Sequence, residues 1–159
     1  MIKNTGLKVY ESKGRGRGVF ATKEYSRKEI IEKANVLVFS NKDEIDHINS
    51  TQLENYTYQW GDDSDKAALV FGHGSLYNHS YSPNAMYFAD HDKNIMTFVA
   101  IKNIKTGDEI TVNYNGDHND STPVWFDSVW LLGNFVVWSS CDGEKNGNNW
   151  FGQSEIWNK

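Results

Sequence analysis

The fold is decided by the stretch Gly72-His73-Gly74-Ser75-Leu76-Tyr77-Asn78-His79-Ser80-Tyr81-Ser82-Pro83-Asn84-Ala85. This stretch is dense in small and hydrogen-bonding residues, yet strand-like apolar segments flank it, residues 67–71 before it and 85–89 after it. Polar chemistry placed between core elements is typical of a functional site. The alternative is a loop in which Asn78 and Ser80 satisfy local backbone groups. Both interpretations stay open on these residues alone, so the rest of the chain has to decide between them.

The composition predicts one globular domain. The chain has 159 residues, enough for one hydrophobic core and too few for two comfortable domains. Aromatic residues make up 14% of it, which supplies many large side chains to bury and argues against disorder. The N-terminus lacks an apolar signal segment, and the longest apolar run, residues 129–138, is about half a membrane span. We therefore expect a soluble intracellular protein, in the cytoplasm or the nucleus, with no membrane partner.

Charge and cysteine content restrict the partners. The 16 basic and 21 acidic residues give a formal net charge of -5, which argues against nucleic acid as the main partner and suits a basic peptide. The single cysteine, Cys141, excludes a disulfide within the chain, and a zinc site would need histidines or carboxylates alone. The histidines other than His79 show no metal-ligand spacing, so we predict no metal. No pattern in the sequence predicts an oligomeric state.

Short β-branched or alternating segments recur along the chain and predict a mostly β domain. Residues 29–39 are rich in β-branched side chains and predict two short strands. Asn41 as N-cap, with Glu44 at the third helical position, predicts a helix whose apolar face extends to about residue 55. The other predicted strands are residues 7–11, 19–21, 56–60, 67–71, 86–88, 95–101 and 109–114.

Glycines alternate with arginines between the first two predicted strands, at residues 14–18. Such spacing lets the backbone take positive φ and lets a ligand approach it closely. The segment Gly16-Arg17-Gly18-Val19-Phe20-Ala21 also fits the dinucleotide fingerprint G-x-G-x-x-A, and its arginine raises RNA binding as an alternative. The fingerprint requires an apolar strand before it and an acid about 20 residues later. Here polar residues precede it and the apolar residues 36–39 take the place of the acid, so this context does not support a dinucleotide site.

Two further segments, taken together with the glycine-arginine segment, carry a family resemblance. They are Asn78-His79-Ser80 with Pro83-Asn84-Ala85, and Gly107-Asp108-Glu109-Ile110-Thr111-Val112-Asn113-Tyr114, whose strand alternates cleanly. In this order the three segments resemble the SET-domain family of protein lysine methyltransferases. The resemblance covers roughly residues 7–117 and is closest to compact viral and bacterial members that lack zinc-binding flanking modules. We assign residues 1–127 to the SET domain and leave residues 128–159 as an unassigned C-terminal tail.

The resemblance implies a fold and a reaction. The fold is mostly β, with small curved sheets, one or two short helices, and a pseudoknot between the Asn-His-Ser segment and the strand that ends at Tyr114. The reaction is methyl transfer from S-adenosylmethionine to the side-chain amine of a lysine in a basic, histone-like protein, with S-adenosylhomocysteine as product. Tyr114 falls on the catalytic tyrosine, and Asp108 and Glu109 fall on acidic positions that we interpret as structural. The residues that match cofactor-binding positions are Gly16, Arg17, Gly18, Asn78 and His79.

The sequence also departs from the family pattern. Many members carry a zinc-binding cysteine where this chain has Tyr81, so the cysteine-rich zinc site that follows the domain in those members is excluded. Aromatic side chains must then close the lysine channel, and we expect Trp125 and Phe126 to do so, with Tyr77 as a further wall.

The proposed chemistry suits these residue types. Methyl transfer needs alignment of the partners and exclusion of water, and it needs no metal. The lysine must be neutral, and burial in an aromatic channel lowers its pKa from the usual ~10.4. The hydroxyl of Tyr114 suits the orientation of the lysine nitrogen. An alternative is a catalytically silent SET-like module that binds peptide without turnover. The presence of both the Asn-His pair and the tyrosine favours the enzyme.

Overall fold

The computed structural model describes residues 6–61, 65–124 and 126, together with the backbone of residues 130–132 and 135–137. The chain divides into two compact units, Met1–Thr122 and Pro123–Lys159. In the second unit, the two short segments Trp130–Leu132 and Phe135–Val137 pair as antiparallel strands. Trp125 and most of the predicted C-terminal tail lie outside the described residues. No helix in the part of the chain so described is long and apolar enough to cross a membrane.

The first unit is built mostly of strands, which confirms the β-rich fold predicted from the sequence. Its described residues form one α-helix, α1 (Lys42–Asn49), and two 3₁₀-helices, Gln52–Tyr56 and Gly74–Leu76. The strands are β1 (Leu7–Ser12), β2 (Gly16–Ala21), β3 (Ile30–Phe39), β4 (Thr57–Trp60), β5 (Lys66–Val70), β6 (Asn78–His79), β7 (Ala85–Asp90), β8 (Ile95–Ala100) and β9 (Glu109–Val112).

Two sheets organise these strands. The larger sheet is antiparallel and has the order β4-β5-β3-β8-β7. The smaller sheet has the order β1-β2-β9-β6, and its last pair is parallel, with Asn78 beside Thr111 and His79 beside Val112. This parallel pair brings the Asn-His-Ser segment next to the strand that leads to Tyr114, although these segments are far apart in the sequence.

The prediction of two short strands in residues 29–39 is wrong, because these residues form the single strand β3. Its first half pairs with β8, and its second half, from Val36 onward, pairs with β5. A register shift lies between Ile30 and Glu32. The point at which the sequence pattern suggested a turn is therefore the point at which one strand changes its pairing partner. The residue pattern alone cannot distinguish these two cases.

The predicted helix start is confirmed, but the helix ends early. Asn41 Oδ1 accepts a hydrogen bond from the backbone N–H of Glu44 at 2.9 Å, and the Glu44 carboxylate accepts one from the N–H of Asn41 at 3.5 Å. α1 ends at Asn49 and does not continue to residue 55. The hydroxyls of Ser50 and Thr51 donate to carbonyls of the last helical turn, and such side-chain bonds compete with continued α-helix.

Side chains of both sheets form the hydrophobic core of the first unit. They include Val19, Phe98 and Ile110, none of which is measurably exposed. β9 is largely buried, since Ile110 and Val112 are 0% exposed and Thr111 only 9%. Asn84 Oδ1 accepts the backbone N–H of Thr111, and the side chain of Asn113, which follows the strand, donates to the Asp120 carbonyl. The strand that leads to Tyr114 is therefore held by hydrogen bonds as well as by burial.

Candidate active site

A cavity of about 310 Å³ opens in the first unit where segments distant in sequence meet. Its lining combines bare backbone, guanidinium groups, amides, hydroxyls and aromatic rings. The lining residues are Arg15, Gly16, Arg17, Asn55, Tyr56, Ser75, Leu76, Asn78 and Tyr114. Of the residues predicted to form the site, four therefore share one cavity: Gly16, Arg17, Asn78 and Tyr114.

Gly18 and Asn78 are packed against each other beside this cavity. The Asn78 side-chain amide donates to the carbonyl of Arg17 at 3.1 Å and to Glu109 Oε1 at 2.7 Å. A Cβ on residue 18 would lie 2.3 Å from Glu109 Oε1 and 2.8 Å from Asn78 Nδ2, so a side chain there has no room. Because both of its amide hydrogens are committed, the orientation of the Asn78 amide is fixed.

Glu109 connects the three segments, a role more specific than the structural one expected from the sequence. Its carboxylate accepts hydrogen bonds from Ser12 Oγ at 2.9 Å, from the Asn78 amide, and from Arg15, with which it forms an ion pair. Arg15 also donates to the carbonyl of His79 at 3.3 Å. The sequence signal was an acid at the start of a strand together with a glycine-arginine loop that needs a counter-charge. By contrast, Asp108 accepts the N–H of Lys105 and closes a turn, a purely structural role.

Tyr114 is held at both its backbone and its hydroxyl. Its backbone N–H donates to His79 Nδ1 at 3.1 Å, and its hydroxyl donates to the carbonyl of Tyr77 at 2.9 Å. Because Nδ1 accepts, the neutral imidazole of His79 carries its proton on Nε2. His79 therefore braces the chain at Tyr114, and it is absent from the described residues that line the cavity.

Buried tyrosines form a cluster around the Tyr114 hydroxyl. Burial raises the pKa of Tyr114, and the nearby Arg15 guanidinium partly opposes this rise. Burial, followed by the proximity of Tyr114, raises the pKa of Tyr87 to about 12. Burial also raises the pKa of Tyr58 well above 10.0, and the rings of Tyr58 and Tyr87 meet edge to face at 5.0 Å. All three hydroxyls are therefore neutral near pH 7. The sequence analysis did not identify Tyr87, which lies in an ordinary strand pattern.

Tyr77 takes a different position from the channel wall that the sequence predicted. Its ring is only 2% exposed, packs 4.6 Å from the ring of Phe98, and donates its hydroxyl to Glu32 Oε2 at 3.1 Å. What it presents to Tyr114 is its backbone carbonyl. The ring belongs to the core because the 3₁₀-helix Gly74–Leu76 turns it inward, an orientation that depends on tertiary packing.

Trp125 and Phe126, the residues predicted to close the channel, belong to the second unit. Trp125 lies outside the described residues, and Phe126 is a half-buried residue of the second unit. Their closing of the channel stays a prediction. Among the residues with described side chains, no group of three or more His, Cys, Asp or Glu could hold a metal ion.

The sequence matches the SET domain family model over residues 16–115. This match covers more than half of the chain and includes every cavity-lining residue except Arg15. The chain belongs to the SET domain family. The recognition made from the three sequence segments is thereby confirmed.

One relative of this SET domain protein is a named enzyme, and a second is described only by its domain. A histone-lysine N-methyltransferase of Schizosaccharomyces pombe, specific for H3 lysine 37, is 34% identical over 121 residues, which are 76% of this chain and 77% of the relative. A protein of Acanthamoeba polyphaga mimivirus, described as SET domain-containing, is 45% identical over 50 residues, 31% of this chain and 19% of that protein.

A solved structure agrees with these relatives. The crystal structure of a Plasmodium falciparum protein, described as a histone methyltransferase, has a TM-score of 0.56 and 28% identity, and the match covers 69% of this chain and 92% of that one. Together the family match, the fission yeast relative and this structure identify the SET domain protein as a protein-lysine N-methyltransferase.

Proposed function

We propose that this protein transfers a methyl group from S-adenosylmethionine to the side-chain amine of a lysine in a basic, histone-like protein, leaving S-adenosylhomocysteine. One observation carries the proposal: Tyr114 lies in the same cavity as Gly16, Arg17 and Asn78. The family resemblance requires this combination of a loop and an amide that bind the methyl donor and a phenol that orients the acceptor. In the sequence these three parts lie tens of residues apart.

The groups at the cavity fit S-adenosylmethionine. Gly16 has φ +70° and nothing within 4 Å of a Cβ position, so its backbone is open to a ligand. Arg17 offers a guanidinium to the carboxylate of S-adenosylmethionine, and Asn78 offers the oxygen of an amide of fixed orientation to a hydrogen-bond donor of the same ligand. The volume of about 310 Å³ is at the lower end of small-molecule sites. When bound, S-adenosylmethionine supplies a methyl group already activated by a sulfonium. We propose Gly16, Arg17, Gly18, Asn78 and His79 as the residues that form this binding site.

The chain's own residues prepare the acceptor amine. A lysine that enters among Tyr58, Tyr87 and Tyr114 loses water, and this desolvation lowers the pKa of its ammonium, so the proton leaves for solvent before transfer. The neutral Tyr114 hydroxyl, fixed by the Tyr77 carbonyl, then orients the lysine nitrogen.

The proposed substrate and the proposed extent of the catalytic domain rest on the charge of the whole chain and on its relatives. The net charge of -5 suits a basic protein, and the fission yeast relative is specific for lysine 37 of histone H3. By extension we assign this chain a histone-like substrate in the nucleus or the cytoplasm. We also propose residues 1–127 as the catalytic domain, with Trp125 and Phe126 closing the channel.

Substitution of Tyr114 tests the proposed function. Incubation with methyl-labelled S-adenosylmethionine and purified histones should label a histone lysine, located by mass spectrometry. Tyr114→Phe should lower turnover by about a hundredfold, because the acceptor is no longer oriented. Donor affinity, measured by calorimetry, should stay within about twofold of the unmodified protein, a small change in binding free energy.

Tyr10→Phe is the matched control, since Tyr10 is 48% exposed and lies on β1 away from the cavity lining. It should retain full turnover. Donor binding by the unmodified protein without labelling of any basic protein would replace the proposal with a catalytically silent peptide-binding module.

A further inference from the structure

A buried carboxylate outside the cavity takes no part in the function proposed above. Glu32 lies on β3 beside the register shift, and its side chain is 14% exposed. Oε1 accepts the backbone N–H of His73 at 3.2 Å and lies 3.2 Å from His73 Nδ1, while Oε2 accepts the Tyr77 hydroxyl at 3.1 Å. Removing a carboxylate from water is costly, so its several hydrogen bonds are what make this position tolerable.

The Glu32 carboxylate holds both ends of the 3₁₀-helix Gly74–Leu76. His73 immediately precedes this helix and Tyr77 immediately follows it. Gly72, with φ +70°, allows the approach: a Cβ there would lie 2.4 Å from Glu32 Oε1. A side chain at residue 72 would therefore push the carboxylate away from the helix.

Tyr77 connects this carboxylate to the proposed catalytic hydroxyl. The hydroxyl of Tyr77 is held by Glu32, and its backbone carbonyl accepts the hydroxyl of Tyr114 at 2.9 Å. The Tyr77 ring is rigid and packs 4.6 Å from the ring of Phe98, so its hydroxyl and its backbone carbonyl are held in one arrangement. The position of Glu32 thus influences, through Tyr77, where the Tyr114 hydroxyl points.

We propose that Glu32 is a positioning residue for the transfer reaction. It sets, through Tyr77, the carbonyl that aims the Tyr114 hydroxyl at the acceptor nitrogen. The inference rests on the proposed function of Tyr114. A positioning residue of this kind governs turnover more than binding, because a displacement of about 1 Å at a reacting group costs about a hundredfold in rate.

The test compares Glu32→Gln, Tyr77→Phe and the variant with both substitutions. Turnover, peptide KM, donor affinity and the thermal midpoint are measured for each. Each single variant should lose ten- to a hundredfold in kcat, with donor affinity within about twofold. The double variant should lose no more than the worse single variant, since both substitutions cut the same connection. Glu24→Gln removes an exposed carboxylate and is the control, with kcat unchanged.

A second measurement does not depend on turnover. The ring of Tyr114, labelled with ¹³C at Cζ and assigned by loss of its signal in Tyr114→Phe, reports the hydrogen bonding of its hydroxyl. Its resonance should shift in Glu32→Gln and in Tyr77→Phe and stay in place in Glu24→Gln. An unmoved resonance overturns the inference even if no protein is ever methylated, which separates its failure from that of the proposed function.

Two kinetic outcomes would also overturn it. Additive losses in the double variant would mean that Glu32 and Tyr77 act separately. Parallel losses of kcat, donor affinity and thermal midpoint would reduce Glu32 to a general contributor to stability.

Discussion

Gly18 is the residue at which the loop, the Asn-His-Ser segment and β9 come closest. Its neighbours are the carboxylate of Glu109 and the amide of Asn78, both inside the distance that a Cβ would require. The close approach lets one carboxylate hold the amide and the loop together. Here a glycine is needed for space, since Gly18 does not have positive φ.

Gly18→Ala should therefore disturb the proposed donor site. The new methyl group displaces Glu109 and Asn78, so donor affinity measured by calorimetry should fall at least tenfold, and overpacking should cost about 1–3 kcal/mol of unfolding free energy. Gly14→Ala is the matched control: residue 14 has φ +73° but open space around its Cβ position. It should lose about 1 kcal/mol of stability through backbone strain and keep its donor affinity. Equal donor affinities in the two variants would refute the steric argument.

At the scale of elements, the 3₁₀-helix Gln52–Tyr56, which follows α1, carries residues to the cavity. It supplies Asn55 and Tyr56 to the lining, and the Tyr56 hydroxyl accepts a hydrogen bond from Arg17 at 3.4 Å. The position of this 3₁₀-helix follows from where α1 begins and ends. The capping box at Asn41 therefore stabilises the helix that leads to this part of the lining.

Asn41→Ala should lower the free energy of unfolding by about 1 kcal/mol, because the N–H of Glu44 loses its acceptor. Urea titration followed by circular dichroism measures the change. Asn41→Asp keeps an acceptor oxygen at the same place and should retain most of the stability. If the alanine and aspartate variants unfold at the same urea concentration, the cap contributes nothing here.

At the scale of the whole molecule, the buried tyrosines make stability depend on alkaline pH. Burial raises the pKa of Tyr87 from 10.0 to about 12. Below pH 10 both the folded and the unfolded chain keep this proton, and the stabilising contribution is fully present. Between pH 10 and about 12 the unfolded chain releases the proton while the folded chain retains it, so the free energy of unfolding falls as pH rises.

Tyr87→Phe should remove part of this fall. For Tyr87 alone the loss between pH 9 and pH 11 amounts to about 1 kcal/mol. Urea unfolding at pH 8, 9 and 11 should show a shallower decline for Tyr87→Phe than for the unmodified protein. The pH 8 measurement serves as the internal control, because there the hydroxyl is protonated in both states. Identical declines for the two proteins would contradict the assignment of the raised pKa to Tyr87.

Local features of the fold could be predicted from the sequence, and long-range ones could not. The capping box at Asn41 and the existence of most strands depend on neighbouring residues, so they follow from pattern. The change of partner along β3 depends on β5 and β8, which no pattern within residues 29–39 records. The β-rich fold as a whole was nevertheless predictable, because three short motifs in order carry a family resemblance.

The candidate site likewise has a part that could be predicted from the sequence and a part that could not. Gly16, Arg17, Asn78 and Tyr114 were found by motif and share one cavity. Glu109 was expected to be structural, but the partners that it connects could not be predicted because they lie in other segments. The ring of Tyr77 was assigned to the channel because its inward orientation depends on packing against Phe98, which no local pattern records. Side-chain direction and long-range hydrogen bonds are what the sequence pattern leaves open.

The parallel pairing of β6 with β9 also sets the time at which the protein becomes active during its synthesis. A nascent chain that ends after β8 already contains the glycine loop, Asn78 and the whole larger sheet. These parts cannot yet form the proposed donor site, because β9 is the strand that pairs with both β2 and β6. The nascent chain therefore stays inert until one of its latest strands emerges, and a chain cut short before Glu109 has no site to acquire.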